Sequence, residues 1–114
     1  MIYGYARINT QHQSFKKQKE ALVNYGCSQI FEEIGSGTSK DQPKLEEMLT
    51  CLKQGDNVVV CSLDRISRDA KHLIELVENF KKNQIEFISI NDNIDTSTHI
   101  GEIVLKIKDI ISNK

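Results

Sequence analysis

The chain has 114 residues, of which 39% are hydrophobic and 27% are charged, and these values exclude a disordered polymer and a membrane-embedded protein. The 15 basic and 16 acidic side chains give a net charge of −1, which excludes a basic surface over the whole molecule but not a local one. No apolar run approaches the ~20 residues that span a bilayer, and the first residues lack the pattern of a signal peptide. We therefore expect a single-domain cytoplasmic protein with no membrane partner.

Cysteine and histidine give no sign of a metal site. The cysteines form no Cys-x-x-Cys pair and are widely spaced, at Cys27, Cys51 and Cys61, so free thiols are expected. The three histidines are equally scattered and lack the spacing of metal ligands. We expect no metal ion or other cofactor.

Strand and helix signals alternate along the chain. The predicted strands are rich in β-branched and aromatic residues and cover Ile2–Ala6, Gln29–Glu33, Asn57–Cys61 and Ile85–Ile90. The predicted helices carry apolar residues at helical spacing and cover Ser14–Tyr25, a segment that opens at Pro43, Asp69–Lys82, and a C-terminal segment from Ile100 to Ile111. This order predicts an α/β fold with a central, mostly parallel β-sheet flanked by helices.

Three polar segments follow predicted strands and should meet at one edge of the sheet, where parallel sheets bind ligands. They are Arg7–Gln13, the loop around Ser36, and Ser62–Arg68. Arg7, Arg65 and Arg68 would converge there, and guanidinium groups bind phosphate oxygens through paired hydrogen bonds. The alternative that spacing leaves open is that Arg65 and Arg68 form surface ion pairs with nearby carboxylates.

Four motifs occur in order along nearly the whole chain. They are Tyr5-Ala6-Arg7-Ile8-Asn9-Thr10-x-x-Gln13, Ser36-Gly37, Gly55-Asp56 followed by an apolar strand and Leu63-Asp64-Arg65-Ile66-Ser67-Arg68, and the weaker Ile94-Asp95-Thr96-Ser97. Together they resemble the signatures of the catalytic domain of serine site-specific recombinases, the resolvase/invertase family. The resemblance implies that residues 1–114 form one resolvase-like catalytic domain.

The resemblance implies DNA cleavage and strand exchange without metal. A serine hydroxyl attacks a DNA phosphodiester and forms a phosphoserine link, while arginines neutralise the charge that develops on the phosphate. The implied catalytic positions include Arg7, Asp64, Arg65 and Arg68. The implied DNA phosphate contacts are Arg7, Gln13, Gln18, Ser36, Arg65 and Arg68. The implied partners are DNA and other recombinase subunits.

Two catalytic positions depart from the family pattern. The nucleophilic serine falls on Asn9, and a carboxamide has no hydroxyl with which to form a phosphoester. An active-site arginine falls on the neutral Gln42, and losing one such transition-state donor typically costs about 3 kcal/mol. Thr10 has a hydroxyl, but its side chain should point away if the strand continues. Cleavage is therefore expected to be impaired.

The chain is also shorter than the family's recombinases, whose long C-terminal helix and helix-turn-helix domain are expected to be largely missing here. DNA binding is therefore expected to be weak. The leading hypothesis is a recombinase catalytic domain that is impaired in cleavage. The alternatives are a non-enzymatic module that regulates an intact recombinase, an active phosphoryl-transfer enzyme that uses Thr10 or another hydroxyl, and a mobile-element remnant without a selected function.

Overall fold

The computed structural model describes residues 1–9, 14–35 and 42–96. Within these residues, five strands form one sheet in the order β2-β1-β3-β4-β5. The strands are β1 (Ile2–Ile8), β2 (Gln29–Ile34), β3 (Asn57–Val60), β4 (Glu86–Ser89) and β5 (Ile94–Asp95). The helices are α1 (Lys16–Tyr25), α2 (Pro43–Cys51) and α3 (Ala70–Lys82). A short 3₁₀ helix at Leu63–Arg65 lies inside the segment Ser62–Arg68, which we call the arginine turn.

The sheet confirms the predicted α/β architecture. Strand β1 pairs in parallel with β2 and β3, and β3 pairs in parallel with β4. The predicted C-terminal helix, together with Thr10, Gln13 and Ser36, lies outside the described residues.

Two parts of the sheet differ from the prediction. The sequence predicts no strand after Ile85–Ile90, but the structure contains β5, which pairs antiparallel to β4 with Ile94 opposite Ser89. Two residues are too few to produce an alternating pattern that could be recognised. Strand β1 also continues beyond Ala6 to Ile8, because its parallel pairing with β2 runs on through Arg7 opposite Glu33 and Ile8 opposite Ile34, and the charged Arg7 is fully buried within it.

Helices cover both faces of the sheet and form a hydrophobic core on each. The larger core lies under α2 and α3, and its buried members include Tyr5, Met48, Leu73, Phe80 and Phe87. The smaller core lies under α1 and consists of Ala6, Leu22, Val59, Cys61 and Ile88.

Two glycines shape the packing and the end of α1: Gly4 lets the helix lie close to β1, and Gly26 terminates it. A Cβ at Gly4 would meet side-chain atoms of Leu22 and Cys27 at 3.1 Å, so the glycine permits the close approach. Gly26 ends the helix in the left-handed conformation, with φ of 113°, as the sequence predicts. Tyr25 ends the predicted helix Ser14–Tyr25, and the helical spacing of the apolar residues suggests that it faces the core, but Tyr25 is 43% exposed. The close approach fixes α1 beside the carboxyl end of β1.

Candidate active site

The candidate site forms where β1 and β3 part at their carboxyl ends. Their pairing runs only to Gly4 opposite Val59, because β3 ends at Val60 and the chain then enters the arginine turn. Among the described strands, none pairs with the edge of β1 that follows Gly4 on this side. Buried backbone groups at such an edge need other hydrogen-bond partners.

Gln18 of α1 supplies those partners. Its Oε1 accepts a hydrogen bond from the Arg7 backbone N–H at 3.1 Å, and its Nε2 donates to the Arg7 carbonyl oxygen at 2.9 Å. The carboxamide, which is buried, therefore takes the place of a neighbouring strand. The sequence predicts that Gln18 contacts phosphate, but its side chain is bound to the backbone of β1. Within the described residues, one N–H of the Gln18 amide has no acceptor.

The Arg7 guanidinium braces the loops around the site. Its Nε donates to the Arg65 carbonyl at 3.0 Å, and its Nη2 donates to the Asp64 carbonyl. Its Nη1 donates to the Gly35 carbonyl at 2.6 Å and to Asn9 Oδ1 at 2.8 Å. These bonds use four of the five guanidinium N–H groups. Arg7 thus ties β1 to the arginine turn and to the end of β2.

Positive charge is concentrated around Arg7. Burial lowers the pKa of the Arg7 guanidinium, and the charges of Arg68 and Arg65 lower this pKa further. Arginine nevertheless stays protonated at every physiological pH. An anion at this site would relieve the repulsion among the three side chains.

Arg65 and Arg68 differ from Arg7 in exposure. Arg65 is half-buried, and its Nη1 donates to the Arg7 carbonyl at 3.1 Å. Arg68 is exposed. Among the described residues, neither side chain forms an ion pair with Asp69 or with the carboxylates on α3. Asp69 instead caps α3 by accepting from the Lys71 N–H at 3.1 Å, so the geometry favours the anion-site interpretation.

Asn9 stands at the position where the family resemblance places the nucleophile. It is exposed, and its carboxamide oxygen is oriented by the hydrogen bond from Arg7. The nitrogen of a carboxamide donates hydrogen bonds but has no available lone pair. The side chain can therefore contact an anion, but it cannot attack one.

The serine hydroxyls of the arginine turn are engaged within the protein. Ser62 Oγ donates to Asp64 Oδ1 at 2.6 Å. Ser67 is completely buried, its Oγ accepts from the Asp69 N–H at 3.1 Å, and His72 Nδ1 lies 3.0 Å away. Burial keeps the Ser67 hydroxyl away from any bound phosphate.

Gln42 lies just before α2 and points into the protein. It is only 3% exposed. Its Nε2 donates to the Ile66 carbonyl at 2.9 Å and to the Tyr5 hydroxyl at 3.1 Å. The Gln42 amide, at the position where the family resemblance implies an arginine, therefore joins the start of α2 to the arginine turn.

Glu33 is a buried site residue that the sequence reading missed. Its Oε1 accepts hydrogen bonds from the backbone N–H groups of Lys44 at 2.9 Å and Leu45 at 3.2 Å, in the first turn of α2. The Tyr5 hydroxyl donates to the same oxygen at 3.2 Å, and burial raises the pKa of that hydroxyl. A carboxylate is favourable at a helix N-terminus. The signal was present, because alternation along β2 puts Glu33 on the same inward face as Phe31.

Two further features bear on the kind of site. A cavity of about 540 Å³ lies at the opposite edge of the sheet, and its rim includes Lys53 and Lys82 but no residue of the arginine site.

Within residues 1–9, 14–35 and 42–96, His, Cys, Asp and Glu form no group that could hold a metal ion. In the same part of the chain, no helix is long and apolar enough to cross a membrane.

Comparison with known proteins gives a consistent match. The family model "Resolvase, N terminal domain" matches residues 2–113. The chain is 50% identical over 107 residues to the transposon Tn917 resolvase of Enterococcus faecalis, covering 94% of the chain and 58% of that protein. It is 46% identical over 101 residues to the serine recombinase gin of Escherichia phage Mu, covering 89% of the chain and 52% of that protein.

A solved structure supports the same match. The N-terminal catalytic domain of TP901-1 integrase superposes with a TM-score of 0.79 at 30% identity, covering 98% of this chain and 93% of that one. The chain spans somewhat more than half the length of the two curated relatives.

Proposed function

The chain belongs to the resolvase family of serine recombinases as an N-terminal catalytic domain, and on that premise we propose that its arginine site binds the phosphodiester backbone of DNA without cleaving it. The observation that carries the proposal is the hydrogen bond from Arg7 to Asn9. This bond places a carboxamide, which is not a nucleophile, beside a concentrated positive charge. The site therefore keeps the chemistry of binding and lacks that of attack.

Arg65 and Arg68 contact the phosphate in this proposal. Arg68 is exposed, and Arg65 has guanidinium N–H groups besides the Nη1 that binds the Arg7 carbonyl. Among the described residues, Arg7 finds acceptors for four of its five N–H groups, and it acts mainly as a brace, as Gln18 does on the backbone of β1. Asp64 holds Ser62 beside them. Gln13 and Ser36 remain proposed phosphate contacts by resemblance to the family.

Two substitutions support a loss of cleavage. Asn9 supplies no hydroxyl, and Gln42 supplies neither a positive charge nor a donor directed toward the site, because its amide binds Ile66 and Tyr5. Losing one donor to the transition state typically lowers the rate by about 10² to 10³. The buried Ser67 hydroxyl is a poor substitute nucleophile. Thr10 lies outside the described residues.

We expect binding to be weak and dependent on salt. The net charge of −1 provides little counterion release, so affinity has to come from the local arginine site. A cytoplasmic location, where DNA is accessible, is part of the same proposal.

The test is DNA binding by the Arg68→Gln variant, measured by fluorescence anisotropy with a labelled duplex at several salt concentrations. Lys81→Gln is the matched control, because it removes the same charge from the far end of α3. We expect Arg68→Gln to weaken binding and to reduce the salt slope by about one, while Lys81→Gln leaves both unchanged. An equal loss of affinity in the two variants would mean that DNA binding depends only on the net charge of the protein and not on the arginine site.

A second candidate is a regulatory subunit that enters an assembly of active recombinases. The intact brace from Arg7 to Asp64 and Arg65 favours this candidate, because the site keeps its binding geometry although the nucleophile position is altered. Adding the chain to an active recombinase of the family should then inhibit recombination at stoichiometric ratios. Inhibition that excess DNA abolishes would mean simple competition for DNA, and no inhibition would exclude the regulatory role.

A further inference from the structure

The arginine turn is held at its start by an aspartate from another part of the sheet. Asp92 Oδ2 accepts a hydrogen bond from the Leu63 backbone N–H at 2.8 Å. The same oxygen accepts from the Ser89 hydroxyl at 2.7 Å, and Ser89 is completely buried. Asp92 thus connects the end of β4 to the first residue of the 3₁₀ helix.

The turn has few hydrogen bonds of its own. Within it, Arg65 N–H donates to the Ser62 carbonyl at 3.1 Å, and the Leu63 carbonyl accepts from Ile66 N–H at 3.1 Å and from Ser67 N–H at 3.2 Å. The N–H groups at the start of a helical turn need an outside acceptor, and Asp92 supplies one to Leu63. Arg7 supplies donors to carbonyl groups of the same turn. Two side chains from opposite directions therefore fix the backbone that carries the arginines.

Asp92 is itself well placed by the sheet. Ile90 N–H donates to the Val60 carbonyl at 3.0 Å, and Asn91 N–H donates to the Cys61 carbonyl at 2.8 Å. These bonds continue the β3–β4 pairing to the residue before Asp92. Asn93 then has a left-handed φ of 55°, which reverses the chain into β5. The carboxylate is consequently fixed relative to the end of β3, where the arginine turn begins.

We propose that Asp92 is a positioning residue for Arg65 and Arg68: it fixes the arginine turn through the Leu63 N–H and does not contact the phosphate. This inference rests on the proposed function of the arginine site. The proposal also predicts that removing the Asp92 side chain weakens anion binding, which is the opposite of the effect expected from charge alone. A carboxylate near an anion site weakens anion binding by charge alone, so removing Asp92 should strengthen binding unless its positioning effect is larger.

The experiment measures binding of dithymidine monophosphate, a single phosphodiester, by ¹⁵N NMR of the arginine Nε–H groups. Asp92→Ala removes the acceptor, whereas Asp92→Asn removes the same charge and keeps an oxygen for Leu63. We expect Asp92→Ala to weaken binding about tenfold, as loss of a supporting partner does at other sites. We expect Asp92→Asn to bind at least as well as the unchanged chain.

Two further variants keep the test decisive. Ser89→Ala removes the other partner of Asp92 and leaves the Leu63 bond, so binding should be unchanged even if stability falls. Asp92→Glu keeps the charge but displaces the acceptor, so it should weaken binding, and it replaces Asp92→Ala if that variant does not fold. Unchanged or tighter binding by Asp92→Ala, or by Asp92→Glu in its place, would overturn the proposal. So would an equal loss in Asp92→Asn and Asp92→Ala.

Hydrogen exchange separates this inference from the proposed function. If the unchanged chain fails to bind dithymidine monophosphate, the proposed function fails. The positioning claim is then still tested by the Leu63 amide, which should exchange faster in Asp92→Ala and keep its protection in Asp92→Asn. Equal protection in Asp92→Ala and the unchanged chain would overturn the positioning claim alone.

Discussion

Arg7 Nη1 donates a hydrogen bond to Asn9 Oδ1 at 2.8 Å, and this contact links the buried arginine of the site to the position where the family resemblance places the nucleophile. Both residues belong to the end of β1 and its continuation, and they are two residues apart. The guanidinium therefore orients a carboxamide, which has no hydroxyl with which to attack a phosphate.

Replacing Gln18 with leucine should destabilise the fold. Gln18→Leu keeps a similar volume but leaves the buried N–H of Arg7 without its partner and removes one of the two donors to the Arg7 carbonyl, the other being Arg65 Nη1. We expect the free energy of unfolding to fall by about 1–3 kcal/mol, measured by urea denaturation. Gln29→Leu is the control, because Gln29 is exposed, and it should change stability by less than about 0.5 kcal/mol. Equal effects would mean that the Gln18 amide is not a brace.

Replacing Gln42 with alanine should also lower stability. Gln42→Ala removes the donor to the buried Ile66 carbonyl and to Tyr5, and we expect a loss of about 1–3 kcal/mol in the free energy of unfolding. The loss should be coupled to Tyr5, so a double-mutant cycle with Tyr5→Phe should show an interaction energy. Strict additivity would contradict the hydrogen bond between the two side chains.

Stability at acid pH should depend on Asp56. Burial raises the pKa of this carboxyl. Hydrogen bonds from the Lys53 N–H and the N-terminal ammonium, at 2.8 and 3.0 Å, lower the pKa by more than burial raises it, so the net shift is downward. A lowered pKa in the folded state stabilises the fold above the ordinary value of 3.8, and this stability is lost as the pH falls through the lowered value.

The measurement is the free energy of unfolding of Asp56→Asn between neutral pH and about pH 2. The variant should be less stable at neutral pH, and its stability should fall less steeply below about pH 4. Glu47→Gln is the control, because Glu47 is exposed and its ion pair within the described part of the chain is the surface contact with Lys44, at 3.6 Å. Parallel pH curves for Asp56→Asn and the unchanged chain would contradict the shift.

The sequence predicted the fold and the convergence of the arginines because both depend on local pattern. Alternating strands and helices imply a parallel sheet, and parallel strands bring their carboxyl ends together. The roles within the site could not be predicted in this way. The local pattern places Arg7 in a loop after the first strand. The structure buries Arg7 instead, because carbonyl groups at the end of β2 and in the arginine turn accept its hydrogen bonds, and a local pattern does not show these distant partners.

Asp92 and Glu33 illustrate the same limit. Asp92 lies in a polar stretch, and its function depends on a backbone N–H that is 29 residues away. The sequence places the acidic Glu33 at an inward-facing strand position, which indicates an unusual environment. The reason for its burial is a hydrogen bond from the first turn of α2, which the strand pattern does not show. Contacts between distant segments decide these roles, and neither residue spacing nor composition encodes such contacts.

The substitution at position 9 suggests a repair. Asn9→Ser places a hydroxyl beside Arg7, and Gln42→Arg places a guanidinium at the position of the missing arginine. The introduced arginine would also lie near the Glu33 carboxylate, because Gln42 and Glu33 both contact the Tyr5 hydroxyl. We expect cleavage only with Asn9→Ser, and we expect the second change to raise it by about 10².

The most direct test is a search for a covalent protein–DNA adduct on a denaturing gel. The chain is fused to the long helix and helix-turn-helix domain of an active relative and incubated with that relative's DNA site, either unchanged or with Asn9→Ser, Asn9→Ala, or Asn9→Ser plus Gln42→Arg. We expect comparable DNA binding by all four fusions, no adduct with the unchanged chain or with Asn9→Ala, and an adduct that is strongest in the double variant. An adduct formed through a residue of the unchanged chain would contradict the claim that this site binds a phosphodiester without cleaving it.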